Sequence, residues 1–226
     1  MVSIPFIVVY FWEDKESEFQ EISLEYLSNC NVRVKREDGS IDLIPLEDYV
    51  VGVVGGEMPV SFEVEALKAQ SVASRTYVIH KLIHNKNNDY DVVDTVSNQV
   101  FLDENELKTK WGDNYEEYIN KVRQVVEQTA FEYLEYDGEV IDALFFSTSN
   151  GYTEDAEVVF SNSVPYLKSV ESDWDEEVAS AFYTTTNISL QEFYDKLNLS
   201  YDKELNVEIL ERSVSNRRST VRTKHI

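Results

Sequence analysis

The sequence has little cysteine, glycine, proline or histidine, and each shortage excludes a class of protein. Its 226 residues include 1 Cys, 7 Gly, 4 Pro and 3 His. The lone Cys30 can form no intramolecular disulfide and leaves no cysteine cluster for a structural metal site. So few glycines and prolines exclude collagen-like and low-complexity chains. A hydrophobic core must therefore hold the fold, and a chain of this length can bury one.

Basic residues are also scarce. Lys and Arg total 20 against 43 Asp and Glu, which gives a formal net charge of -23. A surface of this charge repels phosphate backbones, so we exclude nucleic acid as a partner. Hydrophobic residues make up 42% of the chain, with 14 Tyr and 11 Phe, which is too many for a disordered acidic tail. The composition indicates a folded, acidic, aromatic-rich globular protein.

The longest apolar run, Val2 to Trp12, lies at the N-terminus. It is shorter than the roughly 20 residues that a spanning helix needs, and no basic region precedes it as in a signal peptide. Two interpretations remain, a strand packed on the core or the exit end of a longer membrane anchor. We favour the partial anchor, residues 1–12, with Tyr10 and Trp12 as interfacial aromatics. Residues 13–30 are then predicted to form an acidic connector with a short helix around Ile22 to Leu27.

Periodicity and turn signals predict the elements that follow. Two Asp-Gly pairs indicate two β-hairpins, one from Val32–Arg36 and Ile41–Pro45, the other from Phe131–Tyr136 and Val140–Phe146. Helices are predicted over Ser61–His84 with Ser61 as N-cap, Tyr115–Gln128 and Ser189–Leu197, and a strand over Val207–Glu211. The second hairpin is expected to run as a buried strand into a small polar loop, Ser147 to Glu154, which is a common way to support a site.

Arg75 falls in the middle of the apolar stripe of the predicted Ser61–His84 helix. A guanidinium group there must reach a carboxylate to offset its desolvation. We expect that carboxylate to be Glu57 or Glu65.

Metal and serine chemistry find no support in the sequence. His80 and His84 have the spacing of a helical zinc pair, but Lys81 stands where the zinc-peptidase motif needs Glu, and no third ligand is evident. No serine is placed by motif against a histidine base. We therefore predict no metal and no cofactor.

Glu57 is the carboxylate that stands out. It lies between Gly56 and Met58, after the apolar run Val50 to Val54, and the two glycines with Pro59 predict a tight turn. Apolar surroundings favour a protonated carboxyl group, which suits a general acid. The alternative is a structural glutamate that caps the next helix or pairs with an arginine, and the residues alone leave the two interpretations even.

Four ordered blocks resemble one protein family. They are GGEMPVSFEVEALKAQSVASRTY at 55–77, DTVSNQVF at 94–101, STSNGYTEDAE at 147–157 and NSVPYLKSV at 162–170. Together these resemble the stage II sporulation protein D (SpoIID) family, which includes amidase enhancers.

The resemblance implies an α+β fold of mixed helices and antiparallel hairpins around a substrate cleft, as a single catalytic domain over 31–226 that is truncated at its C-terminus. It implies a peptidoglycan lytic transglycosylase that cleaves denuded glycan strands during forespore engulfment, held at the cell membrane by a single N-terminal span with the domain outside the cytoplasm. A sporulation amidase and a membrane scaffold protein are the implied partners. The alternative is a non-catalytic amidase enhancer or glycan-binding protein.

Glu57 matches the catalytic glutamate of the family. The residues expected to orient Glu57 or the sugar, or to form the facing wall, are Glu65, Gln70, Arg75, Tyr77, Gln99, Ser147, Ser149, Asn150, Gly151, Tyr152, Thr153 and Glu154. Because the family continues beyond Ile226, we also expect residues after about Asn216 to lack regular structure.

Overall fold

A computed structural model describes residues 24–179, 182–201, 205–213, 215 and 218–224. Its contacts group into two compact units, Met1–Phe145 and Phe146–Ile226. Helices and small sheets alternate in both units, which confirms the α+β class. The predicted anchor and most of the connector lie outside the described residues. Within the described part of the chain, no helix combines the length and the apolar character that crossing a membrane requires.

The first unit combines a three-stranded sheet with a group of helices. The strands are β1 (Asn31–Lys35), β2 (Ile41–Pro45), β3 (Val92–Val93), β4 (Glu135–Tyr136) and β5 (Glu139–Val140), and the helices are α1 (Leu24–Asn29), α2 (Leu46–Glu57), α3 (Val64–His84), α4 (Glu104–Trp111) and α5 (Tyr115–Gln128). β1 pairs antiparallel with β2 and parallel with β3. Both predicted hairpins are confirmed, the second with strands of only two residues, β4 and β5.

Helix α2 forms the centre of the core. Most of its residues are buried, from Leu46 to Gly55, and α3 and α5 pack against it. A helix that is apolar on every side belongs in the interior. Its valines favour strands by intrinsic propensity, so tertiary burial decides the conformation here.

The structure corrects the prediction around Glu57. Gly55, Gly56 and Glu57 do not form a tight turn, because they are the last residues of α2 and the chain leaves the helix at Met58. Ser61 is not an N-cap either, since α3 begins after Glu63, which makes no side-chain cap.

The sequence analysis predicts one of two further helices and misses the other. Helix α5 has the predicted limits and buries Ile119, Val122 and Val126. Helix α4 was not predicted, although the side chains and backbone N–H groups of Asp103 and Glu106 form a capping box at its start.

The second unit contains shorter elements. They are β6 (Gly151–Tyr152), α6 (Ala156–Phe160), β7 (Glu171–Ser172), α7 (Asp175–Val178), α8 (Leu190–Lys196), β8 (Asn206–Arg212) and β9 (Arg218–Lys224). Ser189 caps α8 as predicted, since its side chain accepts the N–H of Glu192. Two predictions are wrong. Residues Arg218–Lys224, which were expected to lack regular structure, form β9, which pairs antiparallel with β8. The loop at 147–154 does not follow a buried strand, because β5 ends at Val140.

Arg75 is fully buried and ties three helices together. Its Nε and Nη2 atoms donate to the two carboxylate oxygens of Glu47 at 2.8 and 2.7 Å. Its Nη1 and Nη2 atoms also reach the carbonyl oxygens of Glu132 and Val126, both at 3.2 Å. The expected carboxylate partner is present, but its identity was predicted wrongly, since it is neither Glu57 nor Glu65. The guanidinium group therefore joins α2 to α3 and to the end of α5.

We predict that Arg75→Ala lowers the free energy of unfolding by about 3 kcal/mol, the lower end for a broken buried pair. The lower end applies because Glu47 keeps one third of its side chain exposed. Denaturant unfolding monitored by circular dichroism measures this. Lys68→Ala is the control, because Lys68 on the same helix pairs with the exposed Glu65 and should change stability by less than about 0.5 kcal/mol. Equal losses in the two variants would contradict the prediction.

Candidate active site

Glu57 ends helix α2 with its side chain half-buried. Its Oε1 atom accepts the backbone N–H of Val100 at 2.7 Å. Helix α2 and this hydrogen bond fix the carboxyl group from two sides. The carboxyl group is therefore held in a defined orientation while it keeps access to solvent.

Two glycines allow the chain to approach α2 closely enough for this bond. A Cβ atom at Gly56 would lie 2.5 Å from the carbonyl oxygen of Val100, and one at Gly52 would lie 2.4 Å from a ring carbon of Phe101. Gly52 and Gly56 are one turn apart, so they form a stripe without side chains along α2. The Leu102 N–H donates to the carbonyl of Gly52 at 3.4 Å along the same stripe. The glycines thus serve close packing, as glycine does wherever backbones must approach.

Gln99 holds the same segment from the inside. It is fully buried, accepts the hydroxyl of Tyr49 at 3.1 Å and donates to the carbonyl of Ser74 at 3.5 Å. The Tyr49 ring stacks on Phe101 with 5.3 Å between ring centroids. Burial raises the pKa of Tyr49 far above its usual range, so its hydroxyl stays a neutral donor. Gln99 positions the Val100 N–H and is not placed on the protein surface.

Polar side chains of helix α3 also support the 98–101 segment. The hydroxyl of Tyr77, which is 5% exposed, accepts the side-chain amide of Asn98 at 2.8 Å. Gln70 donates to the Ser74 hydroxyl at 3.0 Å. These residues shape the support beneath the 98–101 segment. Glu65 is exposed and pairs with Lys68 at 2.9 Å.

Two lysines that the sequence reasoning missed hold the chain around Glu57. The Lys110 ammonium group donates to the carbonyls of Gly55 and Gly56 at 2.7 and 3.0 Å. Lys121 donates to those of Val60 and Phe62 at 2.6 and 2.8 Å. No motif signals them, because their partners are backbone atoms more than fifty residues away.

A surface cavity of about 740 Å³ lies beside the Val100–Leu102 segment. Six acidic side chains line it together with Arg36, which bonds Glu106 at 2.7 Å and lies over the Phe101 ring. Glu57 does not line this cavity. Arg36 joins β1 to α4 there, which supports the segment that carries Val100.

The predicted loop at 147–154 belongs to the second unit. Ser149 is buried, donates to the carbonyl of Ser172 at 2.6 Å, and its N–H binds the Asp175 carboxylate at 2.6 Å. Glu154 accepts the hydroxyls of Ser213 and Ser215.

The other loop residues have similar positions. Asn150 donates to the carbonyl of Ser215, and Thr153 donates to the carbonyl of Lys168. Gly151 has a φ of 104°. Ser147 and Tyr152 are exposed. Asn150 and Glu154 tie the loop to the turn between β8 and β9. Its predicted role as the wall that faces Glu57 stays a prediction.

Comparison with known proteins decides the family. The SpoIID family model, described as a stage II sporulation protein, matches residues 35–136. Stage II sporulation protein D of Bacillus subtilis (strain 168) is 42% identical over 167 residues, 72% of this chain and 48% of that protein. The protein of the same name from Bacillus amyloliquefaciens is 42% identical over 71% of this chain and 47% of its own length. This chain belongs to the SpoIID family.

The amidase enhancer of Bacillus subtilis (strain 168) is also similar to the SpoIID chain, with 41% identity over 51% of this chain and 14% of that protein. The chain spans about half the length of the sporulation proteins it matches. The matched range of the family model holds Glu57, Gln70, Arg75, Tyr77 and Gln99, all in the first unit. The resemblance seen in the sequence is thereby confirmed.

The histidine pair of the SpoIID domain is a stacked pair. The rings of His80 and His84 lie 4.1 Å apart between centroids, and Nδ1 of His84 faces the carbonyl of His80 at 2.7 Å. Asp142 lies 3.8 Å from His80 and 3.3 Å from Lys81. Among the described residues no cluster of His, Cys, Asp and Glu could hold a metal ion.

We predict a pH dependence of stability from His80. Burial lowers its pKa from the ordinary value of 6.5, His84 and Lys81 add to this, and Asp142 opposes it. The folded state therefore favours neutral His80, and this contribution is present above pH 6.5 and lost as the pH falls through the folded-state value. Urea unfolding at about pH 7.5 and about pH 5.5 should show a smaller pH difference for His80→Gln than for the wild type. An equal difference would contradict the prediction.

We predict that Gly56→Ala destabilises the domain, because the added methyl group meets a backbone carbonyl that has no side-chain freedom to move. Overpacking exceeds the gain in helix propensity, so the net loss should be about 1–2 kcal/mol. Thermal unfolding measures it. Asp48→Ala, at an exposed position of α2, is the control and should shift stability by less than about 0.5 kcal/mol. A Gly56→Ala variant as stable as the wild type would count against the close packing described above.

Proposed function

We propose that this chain is a peptidoglycan lytic transglycosylase that cleaves denuded glycan strands to 1,6-anhydro products during forespore engulfment. The observation that carries the proposal is Glu57 itself. It is a half-buried carboxyl group at the end of a rigid helix, and one of its oxygens is held by the Val100 N–H at 2.7 Å. Such a group can serve as a single acid and base at a fixed position.

In this proposal the two oxygens of Glu57 have different tasks. Oε1 accepts the N–H of Val100, so the transferable proton belongs on Oε2. In the first half of the reaction Oε2 gives this proton to the glycosidic oxygen as the bond to the anomeric carbon breaks. The Val100 N–H then stabilises the carboxylate that remains.

In the second half the same carboxylate takes the proton of the sugar's own 6-hydroxyl group. The oxygen of that hydroxyl bonds to the anomeric carbon, and the product is a 1,6-anhydro sugar. The proton lost in the first half is thereby returned, and no water enters. One carboxyl group suffices, unlike the pair that ordinary glycosidases use.

The second candidate is an amidase enhancer, a protein that activates a cell-wall amidase without cleaving glycan. The observation that favours it is the similarity to the Bacillus subtilis amidase enhancer over half of this chain. An enhancer has no use for an oriented acid, whereas the transglycosylase depends on one. Glu57 therefore separates the two functions.

The cellular setting of this proposal is the outer face of the cell membrane. We propose that residues 1–12 form part of a single-pass anchor, with the SpoIID domain on the extracytoplasmic side next to the glycan. A sporulation amidase that strips peptides from the strands would supply the denuded substrate, and a membrane scaffold protein would hold the two together.

We predict that Glu57→Gln lowers the release of 1,6-anhydro sugars from purified denuded glycan by about 100-fold to 10,000-fold, the contribution of a general acid–base group. The amide keeps an oxygen for the Val100 N–H, so the fold should be preserved. Mass spectrometry of the released sugars measures the effect. Glu63→Gln, at the exposed residue just before α3, is the matched control and should retain wild-type activity.

Three outcomes would count against the assignment. Unchanged release of anhydro sugars by Glu57→Gln would show that another group does the chemistry. Products with reducing ends would mean hydrolysis. A wild-type protein that releases no sugars but raises the rate of an added amidase would favour the enhancer function.

A further inference from the structure

We infer that Lys110 is a positioning residue for Glu57, because it completes the last turn of α2 that carries the catalytic carboxyl group. The expected effect on catalysis rests on the proposed function. The expected effect on the geometry of the helix turn rests on the structure alone. The contacts of Lys110 with Gly55 and Gly56 are its starting point.

Helix α2 ends at Glu57 and leaves its last carbonyls open, and Pro59 cannot supply a backbone N–H to one of them. In an α-helix the carbonyl of Gly55 would accept the N–H of the residue four positions later. That residue is Pro59, which has no N–H to donate. Lys110 supplies a donor at 2.7 Å from the Gly55 oxygen, and a second at 3.0 Å from that of Gly56. Its positive charge also suits the negative end of the helix dipole.

Helix α4 places Lys110 at this point. A Cβ atom at Gly55 would lie 2.7 Å from Leu107 and 3.0 Å from the Trp111 ring, so α4 rests directly on the last turn of α2. Leu107 and Trp111 are buried, and the capping box at Asp103 fixes the start of the helix. Lys110 lies between Leu107 and Trp111 in the sequence, and its side chain extends to the carbonyls of Gly55 and Gly56.

Lys110 and Glu57 also interact through their charges. Partial burial lowers the pKa of Lys110, and the negative charge of Glu57 raises it by a smaller amount. The Lys110 ammonium group therefore lies near the charge of Glu57 while it holds the helix turn that carries this residue.

The test compares Lys110→Met, which keeps the apolar stem, with Lys110→Arg, which keeps charge and donors. Lys108→Met is the matched control, because Lys108 on the same helix is exposed and pairs with Glu104 at 2.6 Å. Lys110→Met should lower kcat on denuded glycan by about 10-fold to 100-fold, as small misplacements of a catalytic group do. KM should change by less than about 2-fold, because the ammonium group donates to the carbonyls of Gly55 and Gly56 and a positioning role acts on the chemical step. Lys110→Arg should retain most of the activity and Lys108→Met all of it.

Amide hydrogen exchange measured by NMR tests the positioning without any glycan. The Val100 N–H, which binds Glu57, should exchange about 10-fold faster in Lys110→Met, while amides in the middle of α3 keep their protection. If the wild type cleaves no glycan, the proposed function fails, yet this measurement still decides the role of Lys110. An unchanged Val100 exchange rate would overturn the inference, and so would an equal loss of protection throughout the domain.

Discussion

Helix α2 meets the Val100–Leu102 segment at backbone distance, because Gly52 and Gly56 leave no side chain between them. The hydrogen bond from Val100 to Glu57 depends on this approach, and so does the position of Phe101 against Tyr49. A larger residue at either glycine would separate the two. The conformational freedom of glycine, which costs stability inside a helix, is here offset by the packing that it permits.

The polar groups of the interior are arranged around the same helix. Arg75 has no exposed surface, and its donors are distributed over Glu47 and two backbone carbonyls. An unpaired guanidinium group in this place would strongly destabilise the fold, because its charge would be buried without a partner. Gln99 is satisfied in a similar way by Tyr49 and Ser74. These buried groups specify how α2, α3 and the 94–101 segment align, and Glu57 lies half-buried at the end of α2.

Periodicity identified what is local in this fold. Helix α5 and the Asp-Gly hairpins followed from patterns within a few residues, and Glu57 followed from a family motif. Helix α2 did not, because a short run of valines with glycines fits a strand and a buried helix equally well. The partner of Arg75 was also missed, since Glu47 is 28 positions away and reaches it only across packed helices. Strand β9 depends on pairing with β8, and Lys110 contacts backbone atoms that no composition reveals.

Pro59 has a consequence for how the domain acquires its site. Pro59 has no N–H to donate to the carbonyl of Gly55 in the last turn of α2. Lys110, which follows Gly55 by 55 residues, donates to that carbonyl instead. A nascent chain that has formed α2 alone does not yet hold this turn as the folded domain does. The turn therefore takes its folded geometry only when α4 packs on the end of α2.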